Sequence, residues 1–324
     1  SPLQVDATAG IENIRFERGV GETRKLLLAG TLQTETRVDD RGLRSQAKLQ
    51  LTDQGQIELD SQLDWSSGSR TDLTGSVAGE FDDLSFLAAI SPELIKSRGR
   101  LQGELKLSGT LENPQAQSAI KLDEGRLHLR APGIVLRDLT ASISGGSSGG
   151  LVLDMQAHSG EGQISMQGDI QLTPQVGFKA QIKGQNFLVF NTPEAVIQAS
   201  PDLDIAMAGD RIDLKGEVVV PKADITPRDL AAEGAKTVST DEVIIRSSEQ
   251  AKKEKPLDIY TDVKVVLGDQ VRVDGLGLKA RLAGKIRGKD KPNTLTLAEG
   301  ELRATEGTYK AYGQDLAIEK GRLL

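Results

Sequence analysis

His128 and His158 are the only histidines in this chain. Each stands next to an apolar row in an alternating stretch, Leu127 and Leu129 for one, Met155 and Ala157 for the other. Both therefore face away from that row, and neither has partners for a metal site or a general base. Asp39-Asp40 and Asp82-Asp83 set carboxylates side by side, but adjacent positions on a strand diverge, so neither pair converges on one substrate. There is no P-loop, no Gly-x-Ser-x-Gly and no Gly-x-Gly-x-x-Gly after a strand. Gly275-Leu-Gly277 is too short a match and sits within strand alternation. Tyr309 and Tyr312 read as markers of a packed strand end. With no Cys in the chain, disulfides and zinc thiolates are excluded. These residues predict no enzyme, no metal and no cofactor.

The informative pattern is Leu-x-Gly-x-(Leu/Ile/Val). It reads Leu28-Ala-Gly30-Thr-Leu32, Leu73-Thr-Gly75-Ser-Val77, Leu107-Ser-Gly109-Thr-Leu111, Leu214-Lys-Gly216-Glu-Val218 and Leu282-Ala-Gly284-Lys-Ile286, with Met166-Gln-Gly168-Asp-Ile170 as a variant. Residues two apart on a strand share a face, so each Gly belongs to the apolar face. A missing side chain there lets a sheet bend or a ligand approach the backbone.

Period-two alternation dominates the rest. Leu101-Gln-Gly-Glu-Leu105-Lys-Leu107 is a clean run, and Val176-Gly-Phe178-Lys-Ala180-Gln-Ile182 is another. Turn residues punctuate such runs about every dozen residues, which predicts roughly 20 strands in an antiparallel meander. Aromatics make up 3% of the chain, so aliphatic side chains must supply the apolar face. The net charge of −7 argues against nucleic acid, whose phosphates need a basic stripe. No apolar run approaches the roughly 18 residues of a membrane-spanning helix.

Residues 83–97 read as a short helical insertion of one or two turns, with Ser91 as N-cap, Pro92 at N1 and Glu93 in an acidic first turn. The polar tract 226–256 reads as a flexible loop. The chain, opening at Ser1 and stopping at Leu324, is expected to be one continuous β segment, 1–324, cut from something longer, with any leader or anchor outside it.

About 20 strands at ~4.8 Å spacing make a sheet some 95 Å long. Such a sheet with one apolar face must fold over to shield it, either into a sealed core or into an open trough. At this point the residues themselves carry a resemblance. Leu214-Lys-Gly-Glu-Val-Val-Val-Pro221-Lys-Ala-Asp-Ile225, Ser239-Thr-Asp241-Glu-Val243, Val265-Val-Leu-Gly268 through Gly284, and Gly300-Glu-Leu-Arg-Ala-Thr-Glu-Gly307-Thr-Tyr309 through Gly321 closely resemble the C-terminal region of the TamB family. That family is a branch of the AsmA-like group in Gram-negative bacteria. The likeness is specific from Leu203 onward and partial over 101–143, where Leu107 to Pro114 matches a repeated phrase. Before Leu84 only the general repeat is legible.

The resemblance implies an all-β, U-shaped "β-taco" with a continuous hydrophobic groove. It implies bridge-like transfer of phospholipid across the periplasm between the inner and outer membranes, with the membrane anchor outside this segment. It also implies the outer-membrane barrel TamA as a partner of the full-length protein, bound through a segment beyond Leu324. On that reading the apolar row lines the groove with Leu28, Leu32, Leu101, Leu105, Leu107, Ile120, Leu122, Leu127, Leu129, Leu151, Leu153, Met155, Ile164, Met166, Ile170, Phe178, Ile182, Leu203, Ile205, Leu214, Val218, Val263, Val265, Val271, Val273, Leu282 and Ile286. An alternative from another class is a structural factor that assists assembly of outer-membrane proteins by lending a sheet edge.

Overall fold

A computed structural model of the chain describes residues 4–18, 25–66, 70–145, 150–172, 176–227, 258–275, 277–292, 297–311, 314–318 and 321–323. The alternating runs all become strands. In chain order they are β1 Val5–Arg18, β2 Lys25–Val38, β3 Gly42–Leu51, β4 Gly55–Asp64, β5 Asp72–Phe81, then the helical turn α1 Leu87–Ile90, and β6 Leu94–Gly109, β7 Pro114–Leu129, β8 Ile134–Gly145, β9 Leu151–Ser159 and β10 Gly162–Gln171. They continue as β11 Gly177–Gln185, β12 Phe187–Thr192, β13 Ala195–Ala208, β14 Arg211–Ile225, β15 Asp258–Gly275, β16 Leu278–Asp290, β17 Leu297–Ala311, β18 Gln314–Ile318 and β19 Gly321–Leu323.

One open, curved sheet holds all 19. Strands from β1 to β11 pair with their sequence neighbours antiparallel. β11 and β12 lie end to end along β13, and β18 and β19 lie end to end along β17. The meander is broken once: β14 and β15 run parallel. A parallel neighbour needs a connection that returns the length of the strand, and the long polar tract occupies that place in the sequence. From residue 228 onward the expected loop 226–256 lies outside the described residues.

The sheet bends along a line of irregular pairing. Register shifts fall at Arg98/Arg100 on β6, Leu122/Gly125 on β7, Arg137/Thr140 on β8, Gln198/Ser200 on β13, Val220/Lys222 on β14 and Leu267/Arg272 on β15. Glu124 (φ 53°), Asp138 (φ 49°) and Asn186 (φ 48°) sit in left-handed backbone along this line. Pro221, which has no N–H to give a ladder, stands in the bulge on β14. Each bulge adds a residue to one strand and turns it sharply, so the bulges together crease the sheet into a U.

The insertion differs from its sequence reading. Only Leu87–Ile90 is helical, and Ser91 ends the turn instead of starting one. Ser91 precedes a proline, which disfavours helical backbone there, and its φ/ψ of −129/124 is extended. Its hydroxyl does accept from the Glu93 N–H at 3.4 Å, but residues from Leu94 on join β6. The insertion supplies the best-buried cluster: Leu84 (2% exposed) and Phe86 from the insertion pack with Leu51 and Phe81. The Phe81 and Phe86 ring centroids lie 4.8 Å apart. Gln54 Nε2 donates to Ser85 Oγ at 2.8 Å and fixes the insertion to the β3–β4 turn.

Candidate functional site

Cross-strand register shows how the apolar positions assemble. One row passes from β1 to β17 as Ile14, Gly30, Leu51, Gly55, Phe81, Leu101, Leu122, Ala141, Met155, Met166, Ile182, Leu203, Gly216, Val263, Gly288 and Ala298. Every member is apolar or Gly. Partners directly opposite share a face, so this is a single stripe crossing the strands. The row one residue away is polar from β3 to β16: Gln50, Gln56, Glu80, Gln102, Lys121, Ser142, Asp154, Gln167, Gln181, Asp204, Lys215, Asp262 and Lys289.

The remaining predicted positions fall on the same apolar face in flanking rows. Leu32, Ile120, Leu153, Ile205 and Leu214 belong to a second row with Leu49, Ile57 and Ile143. Leu105, Leu107, Leu151, Ile170 and Phe178 stand toward one rim, and Val218, Val265 and Ile286 line up near the crease with Ile164 two positions from Met166. Leu127, Leu129, Val271, Val273 and Leu282 lie at or beyond the crease. Leu122 and Leu127 are five apart and would face opposite ways on a regular strand. The bulge at Glu124 brings both to one face. The side chain of Leu28 lies outside the described residues.

These aliphatic side chains are half-buried, with Leu151 (9% exposed) and Val271 (2%) the buried exceptions. A sealed core would cover them. The glycines do not open a gap as the sequence suggested. Gly103 (φ 156°) and Gly216 (φ 136°) hold backbone that side chains rarely adopt, and a Cβ would meet Ile120 Cα at 2.4 Å and Asp202 O at 2.2 Å. They serve the close approach and bending of strands. The insertion was also missed as part of the site. Leu84, Phe86 and Leu87 press onto the apolar face against Leu49, Ile57, Leu101 and Leu122, filling it at β3–β7. Its signal was present in sequence: Leu84, Phe86 and Leu87 lack alternation yet are too apolar for an exposed loop.

The outer face is held by exposed ion pairs. Arg287 grips Asp262 with Nε at 2.6 Å and Nη2 at 2.7 Å, Lys264 meets Glu217 at 2.5 Å and Lys48 meets Glu58 at 2.7 Å. The Arg287 hydrogen bonds hold the Asp262 carboxyl below the usual carboxylate range, as Arg211 does for Asp213 and Arg37 for Asp6. His128 is on this face, where burial first, then Arg126, Lys96 and Arg98, push its pKa down. His158 stands 3.6 Å from Asp138. Among the described residues no group of three His, Asp or Glu could hold a metal ion, and no helix is long and apolar enough to cross a membrane.

A family profile described as "TamB C-terminal domain" matches residues 153–324, more than half of the chain. The chain belongs to the TamB family. A second profile, "TamB, N-terminal domain", matches residues 2–122 and carries the likeness through the part where only the repeat was legible. The sheet runs through the gap between the two matches by the β7–β8 and β8–β9 ladders. The "Translocation and assembly module subunit TamB" of Haemophilus influenzae is 24% identical over 346 residues, covering 99% of this chain and 25% of the relative. The chain thus spans about a quarter of that TamB protein. No solved structure matches it.

Proposed function

We propose that this segment is a stretch of lipid conduit, with the apolar face of the U as a wall for phospholipid acyl chains and the head groups left in water. The observation that supports it most is the apolar stripe over sixteen strands, whose aliphatic side chains from β8 to β15 are half-buried and not sealed. At about 4.8 Å per strand the stripe is ~70 Å long, more than twice a bilayer's hydrocarbon thickness. Each CH₂ held against it gains about 0.8 kcal/mol relative to water, and the gain is nearly equal at successive strands. Tails are thereby retained yet slide, with no nucleotide or cofactor. Where the insertion covers the central row, Ala47, Leu59, Val77 and Leu105 continue the face alongside, and Leu59 and Val77 are each 37% exposed. In the full-length protein the conduit would serve a periplasmic bridge from an inner-membrane anchor toward TamA at the outer membrane.

Native mass spectrometry of the purified chain tests this reading. Phospholipid retained in the gas phase and extractable by solvent is the expected result. A lipid-free chain that also fails to take up added phospholipid would overturn it and favour a role for the sheet edge.

A further inference from the structure

Most opposed cations of the outer face have a carboxylate beside them, but a cluster near the insertion does not. In the first halves of β6 and the second half of β7, Arg98 lies directly opposite Arg126, and Lys96 opposite His128. Arg130 follows in the turn after β7. Lys96, Arg98, Arg126 and Arg130 are exposed, and none makes an ion pair among the described residues. Like charges directly opposite on a sheet are destabilising. Cations also face each other at Lys264 and Arg287, at Arg37 and Arg44 and at Arg272 and Arg281, but carboxylates stand with each of these pairs: Glu217 and Asp262 with the first, Asp6 with Arg37, Glu306 with Arg281 and Asp224 opposite Arg272. The carboxylates bordering the cluster are engaged elsewhere: Asp123 with Lys121, Asp82 with Arg100, and Glu93 Oε2 with the Ala131 N–H. Glu124, two residues before Arg126, makes no ion pair with it. This is a local concentration of positive charge on a chain of net charge −7.

We propose that the outer face of β6–β7, through Lys96, Arg98, Arg126 and Arg130, is a docking surface for an acidic protein segment. Exposed Ile95 (47%), the extra residue in the β6 bulge beside Lys96, gives that segment an apolar foothold. An apolar anchor bordered by arginines is the common make-up of a protein interface. The Haemophilus relative is named a subunit of a module, which favours a protein partner over a bilayer. The surface is on the opposite face from the lipid groove and does not depend on the conduit reading.

Arg126→Glu separates this from a merely solvated patch, because it sets a carboxylate opposite Arg98. The probe is a labelled peptide of about twenty residues alternating Glu with Leu or Thr, read by fluorescence anisotropy at low and moderate salt. Vesicles of phosphatidylcholine with phosphatidylglycerol are measured in parallel. The unsubstituted chain is expected to bind the peptide with an affinity that falls steeply with salt, since exposed charges are screened. Arg126→Glu is expected to bind at least tenfold more weakly while melting at an equal or higher temperature. Lys121→Gln, whose cation already has Asp123, should bind as the unsubstituted chain does. Peptide binding unchanged in Arg126→Glu, no peptide binding at all, or binding to the anionic vesicles with none to the peptide would each overturn the proposal. A lowered melting temperature for Arg126→Glu would overturn its premise.

Discussion

Placing one charge in the stripe tests whether lipid has to pass there. Ile182 on β11 is the cleanest position, flanked in the row by Met166 and Leu203 and remote from the insertion's cluster. Leu122 is less suitable, because it packs against that cluster and its replacement would also disturb folding. Half-burying an isoleucine is worth about 1 kcal/mol, a fraction of the ~5–15 kcal/mol that holds a domain folded. In an open trough the arginine stem still covers the wall while its head reaches water, so Ile182→Arg should melt only slightly lower. Acyl chains sliding past meet a different cost. A charge within an apolar slab is unfavourable by about 2.5–3.5 kcal/mol, which at a single bottleneck is roughly a hundredfold in rate. The assay is lipid-dependent rescue of outer-membrane integrity by the full-length protein in cells lacking redundant paths, with protein level and circular dichroism as controls. Ile182→Arg should fold, accumulate and fail to rescue, whereas Lys183→Gln on the outer face should rescue. Full rescue by Ile182→Arg would refute the conduit. Failure to fold would show that the face is sealed.

Three further outcomes follow from particular contacts. Gly216→Ala drives a Cβ to within 2.2 Å of Asp202 O at φ 136°, and should cost about 1–3 kcal/mol in denaturant unfolding; a neutral result would mean the backbone there relaxes freely. Leu84→Ala removes the centre of the buried cluster and should cost about 2–5 kcal/mol, while Leu153→Ala on the open face should cost roughly 1 kcal/mol or less; equal costs would contradict the division between cluster and trough. Asp262 has a depressed folded pKa, so its contribution is present above the unfolded carboxylate pKa and lost as pH falls through the folded one. The melting-temperature gap between the unsubstituted chain and Asp262→Asn should therefore narrow progressively as pH falls below about 4, and a gap that does not change with pH in acid would rule out the Arg287 pairing as its cause.

Alternation made the strands and their two faces legible, because a period of two leaves no other way to keep the Leu101, Leu105 and Leu107 side chains together. It could not show strand direction, and so the parallel β14–β15 pair was not legible. It also said nothing of the crease. Leu122 and Leu127 read as members of one lining although their spacing assigns them to opposite faces, and only the extra residue at Glu124 reconciles them. Asp123-Glu124-Gly125 and Val220-Pro221 were the available signs, since Asp, Gly and Pro mark places where a ladder is interrupted. Ser91-Pro92 was read as a helix start, yet the restriction that proline places on its predecessor made it a stop. Within the repeat, Leu107-Ser-Gly109-Thr-Leu111 is also not one strand: β6 ends at Gly109, and Thr110 Oγ1 accepts from the Asn113 N–H at 3.1 Å in a turn. The burial of Leu84 and Phe86 on the apolar face is a long-range contact that no local pattern encodes.

The central claim is one-sided lipid contact along the stripe, and site-specific photo-crosslinking in cells measures it most directly. Benzoyl-phenylalanine placed in turn at Met166, Ile182 and Leu203, and at their neighbours Gln167, Gln181 and Asp202, samples both faces of the same three strands. The conduit account predicts phospholipid adducts at the first three positions and none at the second three. Equal labelling of both sets, or labelling confined to Gln167, Gln181 and Asp202, would contradict it.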